Sequence, residues 1–241
     1  MTNFGRFFFD LLFPPACLIC QKQGSFICAS CQEKMSYLAR QICPHCGKPS
    51  LTGQIHHDCQ KGCFLDGLVS AFPYRPLFKE VIRQIKFEPF IFSALEELII
   101  NALGYFDREK QFLLFRRFVK QEHPVVIPIP LYKSKLRQRG FNQAQIIAQT
   151  VAGHYSLPLE EKLLFRVRPT RPQFQLEAKE RRQNIKGAFS IDQERLGNCR
   201  QVLPPILLVD DIWTSGATIR EACRVLKRAG IVKVWGLTLS Q

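Results

Sequence analysis

Nowhere does this chain reach the roughly 20 consecutive apolar residues that a membrane-spanning helix requires. Its most apolar N-terminal stretch, residues 4–13, is broken by Arg6 and Asp10. No small-residue cleavage site follows that stretch, so a signal peptide is not expected. Phe7, Phe8, Leu11 and Leu12 fit a short helix docked on the body instead. Low-complexity tracts are absent, cysteine doublets are the only internal repeat, and no Gly-Lys-Ser/Thr occurs, which excludes a Walker phosphate loop. Acidic residues are in short supply, 20 against 34 Lys and Arg, for a formal charge of +14. Cysteines are nearly missing beyond residue 63, where only Cys199 and Cys223 occur.

What is present fits a soluble globular protein of one full domain plus a small module, with 46% hydrophobic and 22% charged residues in 241. The basic excess is central: residues 125–190 carry 12 basic and 4 acidic residues, a net +8. A polyanion is the natural partner for such a surface, although lysines and arginines also serve simply to solvate one.

The remaining cysteines, Cys17, Cys20, Cys28, Cys31, Cys43, Cys46, Cys59 and Cys63, crowd the N-terminus in doublets. A reducing compartment, expected without a secretory signal, leaves them as thiolates rather than disulfides. A two-residue spacer lets both sulfurs of a knuckle reach one metal at about 2.3 Å, and zinc favours thiolate without redox complication. Two closed structural Zn2+ sites would use all eight. Sequential grouping pairs the first four and the last four; an interleaved arrangement would join Cys17 and Cys20 to Cys43 and Cys46. His45, His56 and His57 lie close enough to replace one ligand, but eight cysteines make them redundant, so they read as solvated loop histidines. Few apolar residues separate the doublets, so metal binding is expected to provide most of the folding free energy there.

From residue 64 apolar periodicity replaces the cysteine pattern, which divides the chain into a cysteine-rich module at 1–63 and a larger domain at 64–241. Residues 66–73 read as a strand. Residues 76–87 read as a helix with Phe78, Val81, Ile82 and Ile85 on one face. Residues 91–105 and 108–122 read as helical, the latter with a core stripe of Phe112, Phe115 and Val119. Residues 125–130 form a strand, followed by a basic loop and a helix through Ala144, Ile147, Ala148 and Val151. Residues 205–209 form a buried-type strand, 216–229 a helix and 232–239 a closing strand. Strands alternating with helices argue for an α/β fold with a parallel sheet and flanking helices.

In the segment from Ile206 to Thr218 an apolar strand ends in Asp210 and Asp211, and Thr214-Ser215-Gly216-Ala217-Thr218 then opens a helix. Helix-start amides carry unsatisfied donors and about half a positive charge, and Gly216 lets the backbone approach an anion. Two carboxylates beside a phosphate site are intelligible if they accept hydrogen bonds from sugar hydroxyls or help a hydrated cation. A phosphorylated ribose fits both demands, and the bland alternative is a strand-to-helix turn with Ser and Thr caps.

This segment resembles the 5-phosphoribosyl-1-diphosphate motif of type I phosphoribosyltransferases. Together with Phe13-Pro14-Pro15-x-Cys17-x2-Cys20, Arg139-Gly140-Phe141-Asn142-Gln143, the set Arg168, Thr170, Pro172 and Gln173, Arg181-x2-Asn184, and Gly187-Ala188-Phe189, it is similar to the ComF family of competence-associated proteins across nearly the whole chain. Lys86-Phe87-Glu88-Pro89 departs from the family, where an aromatic and basic pair is followed by glycine.

The resemblance implies a type I phosphoribosyltransferase-like parallel sheet behind a double zinc ribbon. It places Asp210 and Asp211 on the ribose hydroxyls, and Thr214, Ser215, Gly216, Ala217 and Thr218 around the 5′-phosphate. Mg2+ would accompany the diphosphate. Lys133, Arg139, Arg168, Arg181 and Arg182 become candidates for diphosphate or nucleic acid, each having a solvated surface charge as its plain alternative. The expected role is handling single-stranded DNA during natural transformation, in the cytoplasm or at the inner face of the membrane, alongside DNA-uptake or recombination proteins. The competing role is an active phosphoribosyltransferase of nucleotide metabolism or salvage. No general base is apparent for it, because the five histidines all lie away from these motifs. Phe141, Phe165 and Phe174 are candidates for base stacking, or otherwise for packing.

Overall fold

The computed structural model describes residues 15–62, 65–87, 92–171, 178–196 and 203–241. Residues 4–13, Cys63, the turn at 88–89, residues 172–174 and Cys199 fall outside that set, and so does the expected boundary at 63–64. In chain order the first elements are helix α1 (Ala29–Met35), strands β1 (Gln41–Ile42), β2 (Pro49–Ser50) and β3 (Gly67–Phe72), and helices α2 (Pro76–Phe87), α3 (Phe92–Arg108) and α4 (Leu113–Gln121). Next come β4 (Val125–Pro128), α5 (Lys133–Arg139), α6 (Gln143–Tyr155), β5 (Leu164–Arg166), α7 (Ala178–Ile185), β6 (Phe189–Ile191) and α8 (Gln193–Leu196). The chain closes with β7 (Ile206–Ile212), α9 (Ala217–Arg228) and β8 (Val234–Ser240).

Strands β3, β8, β7 and β4 form one sheet in that order, and all three pairings are parallel. The expected α/β architecture is therefore present. Parallel strands need crossover connections that cover both sheet faces, and apolar residues on alternate positions serve the two faces separately. Leu207 and Val209 join the core beneath α2, α3, α4 and α6, while Ile206 and Leu208 join the core beneath α9 and the β5–β6 hairpin. Phe78, Val81, Ile82 and Ile85 are buried as their spacing predicts, and so are Phe112, Phe115 and Val119. Each such side chain contributes about 1.5–3 kcal/mol relative to exposure.

Two segments depart from the sequence reading. The basic stretch after β4 is a short helix, α5, rather than a loop: its straight-chain Lys, Leu, Arg and Gln residues lose little freedom in a helix. It ends at Gly140 in the left-handed conformation, φ 78°, and Asn142 then caps α6 by accepting from the Ala144 N–H at 3.2 Å. The stretch from Leu164 to Ile191, given no element in the sequence reading, forms the antiparallel β5–β6 hairpin with α7 between its arms.

The outer edge of β3 is closed by the cysteine-rich segment. The Leu38 N–H donates to the Ala71 carbonyl, the Gln41 amide exchanges two bonds with Ser70 (2.8 and 3.1 Å), and the Leu68 N–H donates to the Gly53 carbonyl at 2.8 Å. An open strand edge is a template for unwanted pairing, and these bonds remove it. Gly53, at φ 74°, is needed there, since a Cβ would stand 2.1 Å from the Leu68 carbonyl oxygen. Among the described residues no helix is long and apolar enough to cross a membrane.

Candidate functional site

The cysteines assemble sequentially. Ligand atoms of Cys17, Cys20, Cys28 and Cys31 all lie within 4.8 Å of one another, and so do those of Cys43, Cys46, His56 and Cys59. The interleaved alternative is thereby removed. Tetrahedral zinc with bonds of about 2.3 Å places its sulfurs about 3.8 Å apart, and Cys20 Sγ to Cys28 Sγ is 3.6 Å. In the second group Cys46 Sγ is 3.4 Å from His56 Nδ1, and His56 Nε2 lies 3.0 Å from the Pro49 carbonyl. A carbonyl only accepts, so Nε2 carries the proton and Nδ1 turns its lone pair toward the sulfurs. That outer bond fixes the ligating tautomer. Both groups fit a structural zinc ion.

His56 is thus not the solvated loop histidine that its sequence context suggests. The available signal was its spacing: His56-x2-Cys59 repeats the two-residue knuckle of Cys43-x2-Cys46, whereas Cys59-x3-Cys63 does not. Cys63 lies outside the described residues.

The thiols within each group divide in acidity. The Ser30 hydroxyl and the Cys31 N–H bring Cys28 down to about 6, while desolvation and the neighbouring thiols push Cys31 up to about 12. Desolvation raises Cys43, but the N–H groups of Cys46, His56 and His45 outweigh it and bring it down to about 7. Desolvation and the adjoining cysteines push Cys59 up to about 11. Crowded sulfurs do not all ionise unaided, so a divalent cation that ligates them displaces protons.

The second candidate site lies where β7 meets α9. The strand continues through the acid pair to Ile212, pairing Asp210 with Thr238 and Ile212 with Ser240. Asp210 and Asp211 are half-buried at this end, and the Asp210 carboxylate accepts from the Asp211 N–H at 2.9 Å. Trp213 is buried and donates its backbone N–H to the Ser240 carbonyl at 2.7 Å. Its ring is the floor of the turn: a Cβ on Gly216, at φ 68°, would stand 2.2 Å from it, so only glycine fits. Among the described residues the N–H groups of Thr214, Ser215 and Gly216 donate to no protein acceptor. A turn with free amides ahead of a helix dipole is suited to an anion.

Positive charge converges on the acids. Burial lowers the Arg139 guanidinium from its ordinary value, and the charges of Asp211 and Asp210 act against that shift, which puts this arginine within electrostatic reach of both. Burial likewise lowers Arg166, with Asp210 opposing and Arg168 adding to the effect. Arg166 lies 5.4 Å from the Phe189 ring centre, and its buried Nε has no partner among the described residues. Nothing in the local sequence singles out Arg166, whose place follows only from the hairpin.

The other basic candidates are dispersed. Lys133 is exposed at the start of α5, Arg168 donates to the Asn184 and Lys186 carbonyls, and Arg181 and Arg182 lie on α7. Phe165 is 42% exposed, as a stacking surface needs, and Phe141 is half-buried. His45, distant from the loop in sequence, is brought beside it: Arg220 donates to the His45 carbonyl at 3.1 Å and to the Ser215 carbonyl at 3.1 Å.

A family model described as a double zinc ribbon domain matches residues 8–60. The chain is 31% identical over 229 residues to competence protein F of Haemophilus influenzae, with 92% of this chain and 89% of that protein covered. It is 28% identical over 239 residues to DNA utilization protein YhgH of Escherichia coli, with 94% and 98% covered. It is 27% identical over 216 residues to competence protein ComFC of Bacillus subtilis, with 87% and 81% covered.

Proposed function

The chain belongs to the competence protein F (ComF) family, and from that premise we propose that it serves DNA uptake and use by binding 5-phosphoribosyl-1-diphosphate, or a related phosphoribosyl ligand, and handling single-stranded DNA. The DNA half is supported by the names of its relatives, competence protein F and DNA utilization protein YhgH, and by the basic excess of residues 125–190. The ligand half rests on one observation, the half-buried acid pair leading into a turn in which the amides of Thr214, Ser215 and Gly216 donate to no protein acceptor among the described residues. In this reading residues 1–63 are the metal-bound module and 64–241 the ligand domain.

Asp210 and Asp211 accept hydrogen bonds from the ribose 2′ and 3′ hydroxyls, while the amides and hydroxyls from Thr214 through Thr218 hold the 5′-phosphate. Arg139 and Arg166, within electrostatic reach of the acids, face the diphosphate. Mg2+ would be a companion of the diphosphate, whose charge it would neutralise. Lys133, Arg168, Arg181 and Arg182 contribute the sequence-independent attraction to a nucleic-acid backbone that falls with salt. A cytoplasmic place, at or near the inner face of the membrane, accords with reduced thiolates as zinc ligands.

Calorimetric titration of 5-phosphoribosyl-1-diphosphate with and without Mg2+, repeated with a short single-stranded oligonucleotide, tests both halves. Saturable binding of each supports the reading. No heat with the diphosphate removes the ligand half, and oligonucleotide binding that is indifferent to salt removes the other. Turnover of the diphosphate with a nucleobase, unaffected by DNA, would favour the metabolic enzyme instead.

A further inference from the structure

The second metal knuckle and the anion turn meet at one side chain. Cys43-Pro44-His45-Cys46 is closed by the Gly47 N–H donating to the Cys43 carbonyl at 3.0 Å. This leaves the carbonyls of the two spacer residues, Pro44 and His45, pointing at Arg220 on the first turn of α9. Arg220 Nε donates to Pro44 O at 2.8 Å and one terminal nitrogen to His45 O at 3.1 Å, while the other donates to Ser215 O at 3.1 Å. The guanidinium carbon also lies 5.0 Å from the centre of the Trp213 ring, the same ring that rests against Gly216. A planar fork of five donors can span these acceptors from a fixed geometry, which a lysine ammonium cannot reproduce.

We propose that Arg220 is a positioning residue that fastens the Cys43–Cys46 knuckle to the Thr214–Gly216 turn, so that the metal-closed second tetrad holds the phosphate loop in its binding shape. The directions of the Pro44 and His45 carbonyls depend on the knuckle being closed. When it opens, Arg220 is deprived of two acceptors, and its hold on the Trp213 ring under Gly216 is loosened. Among the described residues the first tetrad has no such link: its apolar residues Leu18, Ile27 and Met35 enter the core beneath the helices. Occupancy of the second site, and not of the first, is therefore coupled to ligand affinity. This inference rests on the phosphoribosyl reading of the loop for its ligand, and on the geometry alone for its effect on the turn.

The test compares full-length wild-type protein with Arg220→Met, Arg220→Lys and Cys46→Ser. Two readouts are taken: titration with 5-phosphoribosyl-1-diphosphate, and amide hydrogen exchange of the segment 213–218. Arg220→Met should keep about two zinc ions per chain. It should weaken the ligand about tenfold, within the roughly 5–150-fold typical of coupled sites, and speed exchange of the segment. Arg220→Lys should lie closer to Met than to wild type. Cys46→Ser should reproduce both effects, and the double variant Cys46→Ser/Arg220→Met should be no worse than either single one, because both break the same link. Wild-type affinity and exchange in Arg220→Met, or fully additive losses in the double variant, would overturn the proposal. If the wild type itself ignores the diphosphate, the ligand reading fails, and the exchange data still decide whether Arg220 holds the turn.

Discussion

Cys17, Cys20, Cys28 and Cys31 belong to a segment whose Leu18, Ile27 and Met35 are buried with Phe72, Phe78 and Leu95 in the larger of the two cores. Cys43, Cys46, His56 and Cys59 belong to a segment attached quite differently, through backbone bonds to the edge of β3 and through Arg220 to the anion turn. One tetrad is bound up with the interior and the other with a surface that carries the candidate chemistry. Similar knuckle spacing therefore leads to different consequences, decided by what each ribbon packs against rather than by its ligands.

The sharpest way to break that comparison is to remove the first site. Cys17→Ser with Cys20→Ser should take zinc from about two per chain to about one and cost about 4 kcal/mol, lowering Tm by about 10 °C in a chain of this size. An unchanged melting curve would contradict a structural first tetrad. Next in size, Asp210→Asn with Asp211→Asn should weaken the phosphoribosyl ligand by about 100-fold or more while Tm moves by no more than about 2 °C, since charge-assisted hydrogen bonds are removed at a half-exposed site. Intact affinity would remove the acids from the ligand. Gly216→Ala should cost about 1–3 kcal/mol from left-handed strain and displace the Trp213 ring; tryptophan fluorescence and melting together check this.

Acidity bears on both tetrads. The first must shed a proton from Cys31, held at about 12, and the second from Cys59, held at about 11. These thiols are protonated without metal and deprotonated with it, so acidification weakens both sites. Zinc release to a chromogenic chelator should grow for both tetrads between about pH 8 and about pH 6. Release that does not respond to pH would contradict thiolate ligation. Smallest of all, Lys133→Ala, Arg181→Ala and Arg182→Ala together should flatten the salt dependence of single-strand binding by about one unit for each phosphate no longer neutralised. An unaltered slope would move the DNA path away from this face.

Much of this was legible in the residues. Apolar spacing identified α2 and α4 with their buried faces, the alternation of strands and helices announced the parallel sheet, and cysteine spacing announced two metal groups. The acid pair and Gly216 sat where the strand turns into α9. What escaped was whatever depended on distant neighbours. Eight cysteines suffice for two metal sites and hide His56, although its two-residue spacing to Cys59 repeats the knuckle and the fold sets its Nδ1 against Cys46. Arg166 became visible only once the β5–β6 hairpin brought it toward Asp210. Arg220 has nothing in its local sequence that names Pro44 or His45, which lie some 175 residues away. Local propensity and periodicity report one stretch of chain at a time, and sites assembled across the fold lie beyond them.

A crystal of the zinc-loaded protein soaked with 5-phosphoribosyl-1-diphosphate and Mg2+ examines the loop itself. The 5′-phosphate should sit on the amides of Thr214, Ser215 and Gly216, with both ribose hydroxyls on Asp210 and Asp211. A clear loop with those carboxylates engaged only by protein groups would contradict the assignment.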